Sequence, residues 1–369
     1  MKIICEKNVL ITAVNNVQRA VSGKSTMPAL EGILLRAMGS SLFLAGYDLD
    51  IGITTTIEAQ VFESGDIVIN AKMFGDIVRR MPEETVRIEV DGQLNVKIIS
   101  GLTDEITVMG LPAADFPDIP SVEDGIGFSI PQQLMKSMIH QTLFAVATLD
   151  AGRPVHTGTL FEAEENMLRL VSVDGSRLAM RSEAVKMPEA MKFVVPGKTL
   201  SEVLKMLQDV ETPMFFAVGK RHIVMQIDGY AVISRLLDGE FLSYKKAIPE
   251  TVSTKITVNT REMMAAVERV SVVINDRIKS PLIADFREGI INFSCITSMG
   301  GGKSTIYCRM EGEQEEMGFN SRFLLDALKY AETDEICLEL GSAVSPMKMV
   351  PVSGDSFLFL VLPVRMKKV

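Results

Sequence analysis

The chain has 369 residues, 47 acidic and 38 basic, for a formal charge of −9, with no Trp, three His and four Cys. Its length predicts two or three domains, and 47% hydrophobic with 23% charged residues excludes a disordered chain. The longest near-continuous apolar run, Phe357 to Val364, is too short to span a membrane, and the acidic balance argues, on its face, against nucleic acid.

The N-terminal MKIICEKNVL carries charge at Glu6 and Lys7 and does not read as a signal peptide. Cys5, Cys295, Cys308 and Cys337 are scattered without a C-x-x-C, which suits neither a disulfide framework nor a zinc site and points to a reducing cytoplasm.

Taken in chain order, the predicted elements recur. A helix at 7–22 precedes Pro28 and the strand-like LEGILLRA. AGYDLDI with Asp48 follows, then IVINAKMFGDIVRRM (Ile67 to Met81). After the linker LPAADFPDIPSVEDG come a helix at 131–147, Pro154, GTLFEAEE, LRLVSVDG with Asp174, and FVVPGKTLSEVLKML (Phe193 to Leu207). After AIPETVSTK come a helix at 260–275, Pro281, PLIADFRE and MGFNSRFLLDALKYA (Met317 to Ala331). Pro28, Pro154 and Pro281 are 126 and 127 apart, and Asp48 and Asp174 are 126 apart. A fixed period of this length marks a repeated unit. The expected organisation is α+β, in three similar domains at 1–125, 126–252 and 253–369, each with two helices and hairpin-connected strands. Three such copies suit a scaffold better than an enzyme.

The three strand-to-helix segments align on Asn70, Pro196 and Asn320. Counting from these residues, positions four, seven, eight and eleven are Phe74, Ile77, Val78, Met81; Leu200, Val203, Leu204, Leu207; and Leu324, Ala327, Leu328, Ala331. That spacing is the buried stripe of an amphipathic helix. Asn70 and Asn320 are expected N-caps. Position two is Lys72, Lys198 and Arg322, and position nine is Arg79, Lys205 and Lys329. These share a face about 160° from the apolar stripe. Position six is Asp76, Glu202 and Asp326, so one such helix alone reads as a solvated charged face; its threefold recurrence leaves a solvated face and a basic binding face evenly matched. The six predicted helices carry a net +7, leaving −16 for the rest of the chain.

Other motifs fail. Gly23-Lys24-Ser25, Gly197-Lys198-Thr199 and Gly302-Lys303-Ser304 resemble the end of a phosphate-binding loop, but Gln18, Lys192 and Thr297 stand where its first Gly belongs. Gly300-Gly301-Gly302 reads as a hairpin loop. His140, His156 and His222 lack metal-ligand spacing, so no metal or other cofactor is expected, and no catalytic constellation stands out.

The segments TMPALEGILL, AGYDLDI, GLPAADFPDIP, RPVHTGTLFE, VDGSRLA, VVPGKTLSEVLKML, LLDGEFLSYKKAIP, GFNSRFLLDAL and LVLPVRM, in this order from Met1 to Met366, resemble the bacterial replicative sliding clamps, the beta subunits of DNA polymerase III. The resemblance implies a non-catalytic ring of two head-to-tail chains. Helices would line a hole around duplex DNA, sheets would lie outside, and the ring would tether a polymerase. It implies DNA contacts at Lys24, Lys72, Asp150, Arg153, Pro154 and Val155, with Lys198 nearby. Asp150, Pro154 and Val155 depart from the polar or aromatic residues of some members. With the basic stripe, the candidate DNA-binding residues are Lys24, Lys72, Arg79, Arg153, Lys198, Lys205, Arg322 and Lys329.

The resemblance also implies a pocket, between the second and third domains, for short peptides with apolar anchors from the polymerase catalytic subunit, the clamp loader, other polymerases and repair proteins. Its residues here are His156, Val173, Gly175, Ser176, Arg177, Leu178, Pro249, Leu360, Leu362, Pro363, Val364 and Arg365. His156 replaces a usual aliphatic residue, and Lys367-Lys368-Val369 extends past the usual end. Ring closure is implied at Ile106 and Val108 against Val272 and Val273. The competing readings are a monomeric peptide-binding scaffold of the same fold and an enzyme with an unrecognised site.

Overall fold

The computed structural model describes residues 1–148, 153–274 and 280–365. Asp150 and Lys367-Lys368-Val369 lie outside the described residues. Six α-helices are present among the described residues: α1 (Lys7–Val17), α2 (Ala71–Arg80), α3 (Gln132–Leu143), α4 (Gly197–Met206), α5 (Thr260–Ser271) and α6 (Ser321–Ala331). The paired strands are antiparallel throughout, so the fold is α+β.

The repeated stripe is the buried side of α2, α4 and α6. Eleven of its twelve residues are buried and Leu204 is half-buried, so the spacing does identify the face that packs inward. Asn70 Oδ1 accepts the Met73 N–H at 3.1 Å and Asn320 Oδ1 the Arg322 N–H at 3.0 Å, as N-caps do. A third cap, Asn259, accepts from the Glu262 N–H at 3.0 Å and starts α5.

The first helix of each repeat is shorter than its apolar pattern predicts. The expected 7–22, 131–147 and 260–275 become α1, α3 and α5, which end at Val17, Leu143 and Ser271. In each case the chain tightens into bonds of 3₁₀ type: Val21 N–H to Gln18 O, Ala145 N–H to Thr142 O, and Ile274 N–H to Ser271 O. Apolar periodicity runs through such a turn, so it cannot mark the boundary. Pro28 and Pro154 each open a 3₁₀ turn, Pro28–Glu31 and Pro154–Thr157, that leads into the next strand.

The chain divides into two compact units, Met1–Gln133 with Ser201–Leu236, and Leu134–Leu200 with Leu237–Val369. The first holds a five-stranded sheet ending in strand Asp104–Met109. It also holds an eight-stranded sheet in which strand Ile51–Glu58 pairs with strand Tyr230–Arg235, Ile53 opposite Val232. The second unit repeats that plan: a nine-stranded sheet joins strand Arg177–Ala184 to strand Phe357–Val361, Leu178 opposite Leu360, beside a four-stranded sheet edged by strand Gly300–Tyr307.

Asp48 and Asp174 serve these two joins. Asp48 Oδ1 accepts the N–H groups of Asp50 and Ile51, and Asp174 Oδ1 those of Ser176 and Arg177. Each aspartate closes the turn that starts a joining strand, which explains its recurrence at a fixed spacing.

Gly300-Gly301-Gly302 is not a hairpin loop. Thr297 pairs with Gly300, Ile296 with Gly301 and Cys295 with Gly302, so the glycines begin a strand. A Cβ on Gly302 would stand 3.4 Å from the Val270 Cα, in ordinary van der Waals contact with α5, so this strand packs directly beneath the helix.

Candidate DNA-facing helices and partner pocket

Lys24, Lys72, Arg79, Arg153, Lys198, Lys205, Arg322 and Lys329 are all solvent-exposed. On α2, α4 and α6 this follows from the buried stripe, which turns positions two and nine outward. With the observed helix ends, Arg19 moves into a 3₁₀ turn and the helical charge falls from the expected +7 to +6. Lys24 sits in the loop before Pro28 and Arg153 directly before Pro154.

The position-six acids treat the basic residues unequally. Asp76 lies 2.7 Å from Arg79 and 3.4 Å from Arg80, and the hydrogen bond from Arg79 holds its carboxyl below the usual range. Arg79 also donates to Asn15 Oδ1 at 2.8 Å. Glu202 lies 2.7 Å from Lys205 and 3.4 Å from Arg19. Asp326 instead reaches Arg177, on another repeat, at 2.5 Å. Lys329 rests over its neighbour Tyr330, 5.6 Å from the ring centre.

The residues assigned to the peptide pocket fall into two groups. Val173, Leu178 and Leu360 are buried in one apolar cluster with Val155, Leu160, Val171, Val194 and Tyr244; Met180, Phe241, Ile248 and Leu358 pack against it half-exposed. Leu362 and Val364 stand at the surface, 39% and 41% exposed, with exposed Arg365 and half-buried Pro363. The segment after the last strand is fixed by backbone bonds, Leu362 N–H to Ser176 O at 2.9 Å and Val364 N–H to Gly318 O at 2.8 Å. The arrangement is a buried apolar floor with an exposed apolar rim, which can take up apolar side chains of an extended peptide.

Gly175 sits at the turn before the joining strand with φ +87°, a conformation that costs glycine little. Pro249 is half-buried next to Ile248, at the end of the segment that Tyr244 anchors. Tyr244 donates its hydroxyl to Glu162 at 2.5 Å, and Lys192 approaches the same carboxylate at 2.8 Å. Burial opposes ionisation of Glu162, yet these two hydrogen bonds hold its carboxyl below the ordinary value.

His156 meets Phe241 edge-on, ring centres 5.3 Å apart. Its Nε2 is buried without a partner among the described residues. Burial first, and Arg153 second, push its pKa down, so the ring is neutral near pH 7.

Among the described residues, strand Asp104–Met109 pairs on one side alone, with Ile106 opposite Ile98 and Val108 opposite Val96. Ile106 is 40% exposed and lines a cleft of about 370 Å³ with Met73, Ile77 and Arg80. In the other unit Val272 is 82% exposed, whereas Val273 packs partly against the core. Strand Gly300–Tyr307 is likewise unpaired along one side among the described residues. Open strand edges of this kind are pairing sites unless covered.

Three family models match the chain in sequence: the DNA polymerase III beta subunit N-terminal domain over residues 1–120, its central domain over 129–242 and its C-terminal domain over 245–365. The chain belongs to the DNA polymerase III beta subunit family.

The beta sliding clamp of Bacillus subtilis (strain 168) is 32% identical over 380 residues, covering 99% of this chain and all of that protein. The crystal structure of the Bacillus subtilis DNA polymerase sliding clamp superposes with a TM-score of 0.96 at 31% identity over the whole of both chains. A putative DNA polymerase III beta subunit from Eubacterium rectale gives 0.94 at 33% identity, covering 99% of each chain. Membership makes this chain a DNA sliding clamp, a non-catalytic processivity factor of α+β clamp domains.

Within that family frame the structure adds residues that sequence reasoning missed. Met180, Phe241, Tyr244 and Leu358 belong to the same apolar cluster as Leu178 and Leu360; Val155, which the resemblance implies as a DNA contact, is instead buried in that cluster at 5% exposure. Asp174, a repeat marker by its spacing, also holds Arg177 Nε at 2.8 Å. Phe323 and Phe144 flank the same guanidinium. The alternation in TLFEAEENMLRLVSV signalled the strands, but nothing in it signalled which side chains meet. No helix among the described residues is long and apolar enough to cross a membrane.

Proposed function

We propose that two copies of this chain close head to tail into a ring around duplex DNA, with α2, α4 and α6 turned toward the phosphates. The observation that carries this reading is the exposure of positions two and nine on all three helices, opposite a buried stripe. Phosphate contacts ignore sequence, so a weakly basic lining attracts DNA and still lets the ring slide. Lys24, Lys72, Arg79, Arg153, Lys198, Lys205, Arg322 and Lys329 supply that lining, and three domains near 1–125, 126–252 and 253–369 carry it.

Closure places the edge strand Asp104–Met109, with Ile106 and Val108, against Val272 and Val273 of the other copy. A heterologous contact that closes after two copies gives a ring, not a filament. The pocket made by His156, Val173, Gly175, Ser176, Arg177, Leu178, Pro249, Leu360, Leu362, Pro363, Val364 and Arg365 takes the apolar-anchored peptides of the polymerase catalytic subunit, the clamp loader, other polymerases and repair proteins. Light scattering tests the assembly: a mass near twice 40.5 kDa supports the ring, and a strict monomer favours a peptide-binding scaffold.

A further inference from the structure

Two carboxylates and two aromatic rings hold the Arg177 side chain. Its Nε donates to Asp174 at 2.8 Å and a terminal nitrogen to Asp326 at 2.5 Å. Its guanidinium carbon stands 4.6 Å from the centre of the Phe323 ring and 5.6 Å from that of Phe144. Asp174 is itself fixed by the turn it caps. One end of this bridge is therefore the segment that leads into Leu178 and offers the Ser176 carbonyl to the Leu362 N–H. The other end is α6.

Asp76 and Glu202 occupy the same helical position, and each binds a cation of its own helix. Asp326 alone of the three has its carboxylate on a guanidinium next to the pocket floor. With only 11% of its side chain exposed, Arg177 is poorly screened, so an acceptor lost here is not replaced by water as it would be at the surface.

Resting on the pocket reading above, we propose that Asp326 is a positioning residue for partner binding. It holds Arg177, and through the backbone of residues 176–178 it sets the spacing between the Leu178 floor and the Leu362 rim. Without its charge the guanidinium keeps a single carboxylate and turns within its aromatic slot, and the segment that carries both walls shifts with it.

The test is an anisotropy titration of the full chain with a fluorescein-labelled short peptide bearing adjacent Leu and Phe. Asp326→Asn is expected to weaken binding by about five- to twentyfold, as removal of one member of a coupled pair does. Asp326→Glu restores most of the affinity, and Glu202→Gln has no effect. In an Arg177→Met background, Asp326→Asn costs less than about twofold more, because the coupling is already gone. Thermal unfolding of each variant is recorded alongside, and the Glu rescue and the Arg177→Met background separate positioning from general destabilisation. Unchanged affinity in Asp326→Asn, an equal loss with and without Arg177, or a Glu variant that melts normally and still binds poorly overturns the proposal. A wild-type chain that binds no such peptide overturns the pocket reading itself.

Discussion

The carboxylate of Asp326 lies 2.5 Å from the guanidinium of Arg177, whereas Asp76 and Glu202, at the same helical position, lie 2.7 Å from Arg79 and Lys205. Two of the three helices thus temper their own position-nine cation, and α6 leaves Arg322 and Lys329 without an acidic partner among the described residues. In the proposed ring, the attraction of these helices for phosphate is uneven as a result.

Combining Asp76→Asn with Glu202→Gln is therefore expected to slow diffusion along DNA. The slope of log affinity against log salt should steepen by about one to two contacts. Asp326→Asn should leave mobility unchanged and act on peptide binding instead. Single-molecule tracking on stretched duplex reads both; wild-type mobility in the double variant removes any moderating role for the acids.

The candidate pocket separates stability from binding. Leu178 is 3% exposed, so Leu178→Ala should cost roughly 2–5 kcal/mol of stability as well as affinity. Leu362 is at the surface, and Leu362→Ala should lower peptide affinity with little change in melting temperature. Together they should abolish binding with the dimer intact. Retained binding in an anisotropy titration, or a monomer by light scattering, would count against the assignment.

His156 gives a pH signature. Its folded pKa lies below the ordinary 6.5, chiefly through burial and then through Arg153, so the unfolded chain takes up a proton first. Its contribution is fully present above pH about 6.5 and is lost as the pH falls through the lower folded value. Urea midpoints between pH 8 and 5 should decline less steeply at the acid end in His156→Leu. Parallel profiles would show that the ring is solvated.

How much of this was legible in the sequence varies with the physics. The stripe through Phe74, Leu200 and Leu324 gave the buried helix face and, by subtraction, the basic one, since both follow from 3.6-residue periodicity. Asn70 and Asn320 were legible as caps because an amide before an apolar-periodic run has few other uses. Asn259 carries the same signal, an amide directly before the helix expected at 260–275. The early ends of α1, α3 and α5 were not legible, since 3₁₀ turns keep apolar spacing. The Arg177–Asp326 pair was not legible either: 149 residues separate the two, and spacing along one helix pointed Asp326 at Arg322 and Lys329 instead.

The caps themselves can be measured. Asn70→Ala, Asn259→Ala and Asn320→Ala should each cost about 1 kcal/mol, within a range of roughly 0.5–2. Chemical denaturation monitored by helix circular dichroism reads the change. A loss at Asn259 as large as at the other two supports its role as an equal cap, and no loss there would mean that packing alone starts α5.

The central claim is topological and has one direct measurement. The chain is assembled on nicked circular duplex with a bacterial clamp loader, freed of unbound protein, and the DNA is then cut once by a restriction enzyme. The account predicts retention on the circle at salt that disrupts ordinary phosphate contacts, followed by rapid release from the linear product as the ring slides off an end. Equal retention on circular and linear DNA would contradict it, because a protein held by affinity does not sense whether the duplex has ends.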